Sequence, residues 1–244
     1  MRLILASASP RRAELLRAAG YTFDVVVADV DESIRAGETP STYVRRLAAE
    51  KSAAALRRIT AADLKVCTTS DISADLKVGA TPNITAALNG CATSDIAATL
   101  KGCATNAAVE QAFRRADAVM LGADTTVVID GEILAKPRDE ADGRRMLQRL
   151  SGATHQVLTG VSLRQGAYEV GRVETTAVTF RVLTDEDISW YVASGEGRDK
   201  AGGYAIQGLA SRFIPRIAGS YANVVGLPVH TVDELLRSLL ASGR

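Results

Sequence analysis

The run Met120-Leu121-Gly122-Ala123-Asp124-Thr125-Thr126-Val127-Val128-Ile129 carries one carboxylate amid mostly apolar residues. Buried carboxylates are rare unless paired, so Asp124 needs a cation, a metal or a catalytic task. Lys136 follows on the return strand of the same hairpin, and an internal Asp–Lys ion pair is the plain structural alternative. Near the N-terminus, Ser7-Ala8-Ser9-Pro10-Arg11-Arg12 places two hydroxyls and two guanidinium groups between a short apolar run and a helix start. A strand, a tight turn and a helix N-terminus point free N–H groups and the positive end of the helix dipole at one spot, which suits a polyphosphate. A capped helix with solvated arginines fits the same string. Lys51 lies along the apolar face of a later helix, where it either snorkels to the edge or reaches a ligand. Lys200 lies in a glycine-containing loop that permits close backbone approach, and Gln207 carries a donor and an acceptor able to read a base edge.

The elements that must hold these residues alternate between strand and helix. Leu3-Ile4-Leu5-Ala6 reads as a buried strand, with Ser9 as N-cap and Pro10 in the first helical turn, and Gly20 ends that helix. A second strand is expected over 23–30. Thr39-Pro40 opens a helix to about Arg58, and Val44, Leu47, Lys51, Ala54 and Ala55 recur on one of its faces. The Asp124 strand turns at Asp130-Gly131 and runs back through Glu132 to Pro137. An amphipathic helix over 139–150, strands over 155–163 and 170–182, and a capping-box helix from Thr184 follow. A glycine-rich loop over 195–212, a strand over 213–217 and a helix over 231–241 complete the chain. Neither the glycine-rich dinucleotide fingerprint nor the P-loop pattern occurs, which disfavours those folds.

Bulk properties narrow the class. The chain has 244 residues, 47% of them hydrophobic, and a net charge of +1, so nothing draws the whole molecule to nucleic acid or to a membrane surface. The first residues do not read as a secretory leader, and no run approaches the length of a membrane span. Cys67, Cys91 and Cys103 are odd in number and lack metal-ligand spacing, as expected in a reducing cytosol. A cytoplasmic location is the expectation. With 23 Arg against 6 Lys, a retained lysine marks a place needing a compact point charge, or simply chance.

Residues 62–109 differ in kind. They divide into four 12-residue units, with Leu64, Leu76, Leu88 and Leu100 in register. A small stacked solenoid, a chain of short capped helices and a duplicated loop are the readings. The segment is expected to form an inserted module within a single domain spanning 1–244, leaving and rejoining the core at nearly the same place.

Leu5-Ala6-Ser7-Ala8-Ser9-Pro10-Arg11-Arg12 resembles the N-terminal signature of the Maf family of nucleoside triphosphate pyrophosphatases. The resemblance continues through Ala49-Glu50-Lys51, Gly122-Ala123-Asp124-Thr125, Gly131-Glu132-Ile133-Leu134-Ala135-Lys136-Pro137 and Leu150-Ser151-Gly152. It extends to Asp199-Lys200-Ala201-Gly202-Gly203-Tyr204-Ala205-Ile206-Gln207-Gly208 and to the stretch from Gly219 to Pro228. These blocks stand in family order and cover the chain apart from roughly residues 60 to 112. The resemblance implies an α/β fold of the Maf/ITPase-like kind, an elongated mixed β-sheet with flanking helices and two lobes around a cleft. It implies hydrolysis of a nucleoside triphosphate to the monophosphate and pyrophosphate with a divalent metal, in a family where homodimers are common. Asp124 would be the proton acceptor; Ser7, Arg11, Arg12, Lys51 and Lys136 would hold the triphosphate. Arg12, Thr125 and Gln207 match positions linked with substrate choice, and the stretches around Gln207 and Asn223 look like the dTTP/UTP branch. Sister specificities such as 7-methyl-GTP are alternatives, and so is a non-catalytic nucleotide-binding regulator of cell division.

The residue chemistry agrees with hydrolysis. Water attacks the α-phosphorus and pyrophosphate leaves, while cations neutralise the leaving group and a carboxylate orients or deprotonates the water. With no His/Cys cluster, an oxygen-ligated Mg²⁺ or Mn²⁺ is expected, with Asp124 as first ligand and Asp31 or Glu32 as helpers. Glu32 and Lys200 are additional site candidates.

Overall fold

The computed structural model describes residues 2–69 and 118–242. The repeated segment lies outside them apart from the backbone of 62–69, and so do the expectations for its form.

Strand β1 (Arg2–Ala6) leads into helix α1 (Pro10–Ala18), and β2 (Phe23–Val25) into the long helix α2 (Pro40–Thr69). Strand β3 (Ala118–Ile129) and β4 (Glu132–Leu134) form a hairpin, followed by α3 (Glu140–Leu150). Strands β5 (Thr154–Gln165) and β6 (Tyr168–Thr179), helix α4 (Asp185–Ser194), β7 (Arg216–Ala218), α5 (Tyr221–Val225) and α6 (Val229–Ser242) complete the order. The sheet runs β2-β1-β3-β5-β6-β7, with β4 on β3 as its seventh strand. It is mixed: β1 is parallel to β2 and β3, and the other pairs are antiparallel. No described helix is long and apolar enough to cross a membrane.

Local chemistry accounts for the helix starts. Thr39 and Thr42 cap α2 reciprocally: each backbone N–H donates to the other hydroxyl, at 2.9 Å (Thr39 N) and 3.3 Å (Thr42 N). Asp139 caps α3 through Asp142 N–H at 2.7 Å, and Thr184 with Asp187 forms a full capping box on α4. Three expectations change here. Helix α2 passes Arg58 and continues to Thr69, β2 stops at Val25 because its only described partner, β1, is five residues long, and the strand expected over 213–217 is Arg216–Ala218, after a 3₁₀ turn over Leu209–Phe213.

Alternation along β3 divides the core. Met120 packs with Ala55, and Val128 with Tyr43, Val44 and Leu47, so this face lies under α2. On the other face, Val119 and Leu121 join Leu16 of α1 and Leu235, Leu236 and Leu239 of α6. Further along that face, Val127 and Ile129 join Leu147 and Leu150 of α3, Tyr191 of α4, Phe180 and Phe213. These two apolar clusters are the two lobes, and the sheet is continuous beneath both.

Glycine sets how closely α2 approaches. A Cβ on Gly122 would lie 2.1 Å from the Ala48 carbonyl oxygen, and one on Gly160 would lie 2.2 Å from that of Val44. Gly160 is the cross-strand partner of Asp124. The helix backbone therefore rests on the sheet on either side of the acid, which brings Lys51 down onto it.

Candidate active site

Strand β3 has two partners along one edge, and they do not meet. Strand β1 pairs as far as Ala6 with Gly122, and β4 pairs only from Val127 onward, where its last residue Leu134 lies opposite. Between them, residues 123–126 of β3 lack a strand on that side. A cleft of about 740 Å³ opens at this gap, lined by the Ser7–Arg12 turn, Asp124, Thr125 and Lys136, with Asp199 and Lys200 from the far lobe.

Asp124 points to the α2 face. Its Oδ1 accepts from Lys51 Nζ at 2.6 Å, and the same ammonium lies 2.7 Å from Glu32 Oε1. The pairing partner is thus Lys51, and the hairpin Asp124–Lys136 pair does not form. The register explains this: β4 ends at Leu134, and the side chain of Asp124 is turned toward the helix. Lys51 is buried rather than snorkelling. Burial works to raise the Glu32 carboxyl, but the Lys51 hydrogen bond and the charges of Lys51, Lys136 and Arg12 outweigh it and hold Glu32 below its ordinary range. Tyr43 lies beside this group and donates to the Glu32 carbonyl at 3.0 Å; burial, with Asp124 and Glu32 nearby, pushes its phenol up to about 12.

Thr125, the next residue, points to the opposite face. Arg12 donates to Thr125 Oγ1 at 3.1 Å, to Ser7 Oγ at 3.1 Å and to the Gly226 carbonyl at 2.8 Å. Thr125 Oγ1 continues to Thr159 Oγ1 at 2.9 Å. Burial pulls the Arg12 guanidinium down from its usual value, with Asp124 and Glu32 opposing, and an arginine so placed remains a cation. Arg12 therefore ties the β1–α1 turn to β3 and to Gly226 after α5, with two of its five N–H donors left over. Ser7 Oγ also accepts from Ser9 N at 3.2 Å, so its hydroxyl proton is available to a ligand. Ser9 has the extended N-cap backbone, but its side chain makes no cap hydrogen bond, contrary to its expected role.

The remaining cations are less committed. Arg11 and Lys136 line the cleft and make no hydrogen bond or ion pair among the described residues. Burial lowers Arg11, opposed by the charges of Asp199, Glu14 and Glu196. Lys200 pairs with its neighbour Asp199. The lining holds Arg11, Arg12, Lys51, Lys136 and Lys200 against Glu32, Asp124 and Asp199, so cations outnumber carboxylates. Such a cleft suits a polyanion.

Of the expected site residues, Ser7, Arg11, Arg12, Glu32, Lys51, Asp124, Thr125, Lys136 and Lys200 converge on the cleft. Two do not. Asp31 is exposed, and its carboxylate is engaged by Ser33 N and Ser33 Oγ, both at 2.9 Å. Gln207 is exposed and outside the lining. Tyr43, Asp199 and the Gly226 carbonyl were not foreseen: Tyr43 fits the apolar period of its helix, and a backbone carbonyl leaves no mark on residue type.

For a divalent cation, the test is whether oxygen donors converge. Asp124 and Glu32 share one ammonium, so two carboxylates already close on a single cationic position, and no third acidic, His or Cys side chain joins them among the described residues. Mg²⁺ and Mn²⁺ are commonly held by one or two carboxylates plus substrate phosphates and water, which this pair fits.

The family model for Maf-like proteins matches residues 2–89 and 81–239. The chain belongs to the Maf-like family. Its two matched stretches overlap inside the repeated segment. A dTTP/UTP pyrophosphatase of Vibrio cholerae is 40% identical over 235 residues, covering 96% of each chain. Another, from Symbiobacterium thermophilum, is 40% identical over 234 residues, covering 96% of this chain and 92% of its own. That of Escherichia coli O157:H7 is 40% identical over 239 residues, covering 98% of this chain and 93% of its own. The Maf-like assignment agrees with the mixed sheet, the two lobes and the cleft between them.

Proposed function

We propose that this chain hydrolyses dTTP and UTP to the monophosphate and pyrophosphate. The observation that carries this reading is the placement of Asp124 where one edge of β3 lacks a strand, in one cleft with the Ser7–Arg12 turn and five cations. The relatives' shared activity names the substrates.

The chemistry follows from the side chains. The N-terminus of α1, Arg11 and Lys136 receive the β- and γ-phosphates, since they carry charge that no internal partner consumes. Ser7 donates its hydroxyl proton to a phosphate oxygen. Asp124 Oδ1 is held by Lys51, while Oδ2 has no partner among the described residues and takes a proton from the attacking water. The oxygen of that water bonds to the α-phosphorus as the bond from the α-phosphorus to the bridging oxygen breaks, and pyrophosphate leaves with the electron pair. Asp124 and Glu32 would hold a Mg²⁺ or Mn²⁺, which when bound supplies charge neutralisation at the phosphates. The Arg12–Thr125–Thr159 chain belongs to substrate choice in this reading; Gln207, outside the lining but three residues beyond Tyr204 within it, joins it as the family resemblance implies. A cytoplasmic location, where the substrates are found, and a homodimer complete it.

A panel of nucleoside triphosphates with Mg²⁺ or Mn²⁺, with products separated, tests the proposal. The expected products are dTMP or UMP and pyrophosphate. Release of inorganic phosphate alone, or nucleotide binding without turnover, contradicts it; the second outcome is that of a binding regulator.

A further inference from the structure

The turn that carries Gln207 is held from both ends by a single pair of side chains. Tyr191, on the last turn of α4, accepts from Ala205 N at 3.0 Å and donates to Glu196 Oε2 at 2.8 Å. Glu196 accepts from Leu209 N at 2.9 Å through Oε1 and from Ala210 N at 3.4 Å through Oε2. Between these anchors the chain closes a turn, with Gly208 N donating to the Ala205 carbonyl at 3.2 Å. Gln207 is the third residue of that turn. A Cβ on residue 208 would lie 1.8 Å from Glu196 Oε1, so glycine there lets the carboxylate reach under the turn.

The cost of this arrangement argues for a purpose. A half-buried carboxylate accepts from two N–H groups and a phenol, and forms no ion pair among the described residues. Charge-assisted bonds of this kind are stronger and more directional than neutral ones. The αL residue Gly195 ends α4 and turns the chain so that Glu196 reaches back to the Tyr191 hydroxyl. Burial and the Glu196 bond hold the Tyr191 phenol well above its usual range, so it stays a donor.

We infer that Glu196 is a positioning residue for nucleobase selection, which with Tyr191 fixes the turn that presents Gln207. The inference rests on the base-reading role given to Gln207 under the proposed function. Glu196 touches no substrate; it acts through the conformation of residues 205–209. When this turn loosens, discrimination between bases falls, while triphosphate hydrolysis, which depends on Asp124, Lys51 and the Ser7–Arg12 turn, continues; the Glu196 charge also acts on Arg11, and Tyr191→Phe, which leaves that charge in place, separates the two effects.

The test compares wild type, Gln207→Ala, Glu196→Gln and Tyr191→Phe for kcat and KM on dTTP, UTP, dCTP and a purine triphosphate, with Tm beside them. Glutamine preserves the shape of residue 196 but sets an amide N–H₂ against the turn's own donors. Phenylalanine preserves the ring in the core and removes only the hydroxyl. Both variants are expected to lower the dTTP-to-dCTP ratio of kcat/KM by about tenfold or more, the scale at which losing a positioned hydrogen bond relaxes selection. The loss should appear in KM for dTTP more than in kcat, and adding Glu196→Gln to Gln207→Ala should change the ratio no further. Hydrogen exchange at Leu209 and Ala210 should accelerate in Glu196→Gln. An unchanged ratio in both variants, beside a changed one in Gln207→Ala, overturns the inference. So does an equal loss on every nucleotide, which is a purely structural effect. If Gln207→Ala itself leaves the panel unchanged, its base-reading role falls and this inference with it. A wild type inactive on all four instead contradicts the proposed function, and the exchange result then still reads whether Glu196 holds the turn.

Discussion

Two carboxylates, Asp124 and Glu32, close on the single ammonium of Lys51, and this shapes what each of the three can do. Breaking a buried pair by removing one partner costs about 3–5 kcal/mol, because the other charge remains desolvated. Lys51→Met is therefore expected to lose stability of that order in chemical denaturation, along with turnover. A stability loss under 1 kcal/mol would show that the pair is solvated. The sign of the pH effect follows from Glu32, whose carboxyl is held below its ordinary range in the folded protein. Its contribution is present above the usual carboxylate range and fades as pH falls through the lowered value. The site residues were legible one by one through their chemistry. Their pairing was not: Lys136 is near Asp124 in sequence, yet the direction of the Asp124 side chain made Lys51 the partner, and that direction depends on which sheet face α2 covers.

At the scale of elements, the site depends on α2 lying against β3 and β5. Gly122→Ala forces a Cβ into the Ala48 carbonyl and must lift the helix. Overpacking of this kind costs about 1–3 kcal/mol. Displacing Lys51 by an ångström is expected to lower turnover by about 10²-fold, more than the stability loss alone explains. Gly143 is the contrast, lying inside α3 with only Pro137 near its added Cβ, at 3.7 Å. Gly143→Ala is expected to stabilise by about 0.5–1 kcal/mol, read as a higher Tm with turnover unchanged. Helix starts were readable because Thr39, Asp139 and Thr184 cap where their types predict. Strand lengths were less so, since β2 and β4 are limited by their partners: β1 ends at Ala6, and beyond β4 the Ala135 carbonyl bonds Gly202 N–H at 3.1 Å.

Across the whole molecule, His155 supplies a pH-dependent term from outside the cleft lining. It is buried against Phe180 and Tyr204, its Nε2 is 2.8 Å from the Tyr204 hydroxyl, and burial lowers it to about 4. The folded value lies below the unfolded value of about 6.5, so the unfolded chain takes up the proton first. Stability is full above that pH and falls by about 3 kcal/mol as pH drops from about 6.5 toward 4. His155→Gln should flatten this slope between pH 6.5 and 5; an unaltered slope would contradict the assignment. The repeated segment is a question at the same scale. Ala55 packs beside Ala118, and a rise of about 1.5 Å per residue carries Ala61 only ~9 Å further along α2. Residues 110–117, fully extended, reach ~27 Å. Deleting 62–109 is thus expected to leave a chain that still closes and still turns over substrate. Loss of activity in a folded deletion variant would give the segment a part in the site.

In the proposed function, Asp124, set in the gap between β1 and β4, makes a phosphate-gripping cleft hydrolytic. Turnover of dTTP by Asp124→Asn, measured beside dTTP binding, tests it most directly. A fall in kcat of about 10³-fold or more is expected, within or beyond the usual range for removing a general base, with dTTP still bound. A variant that binds dTTP and retains turnover within tenfold of wild type would contradict it.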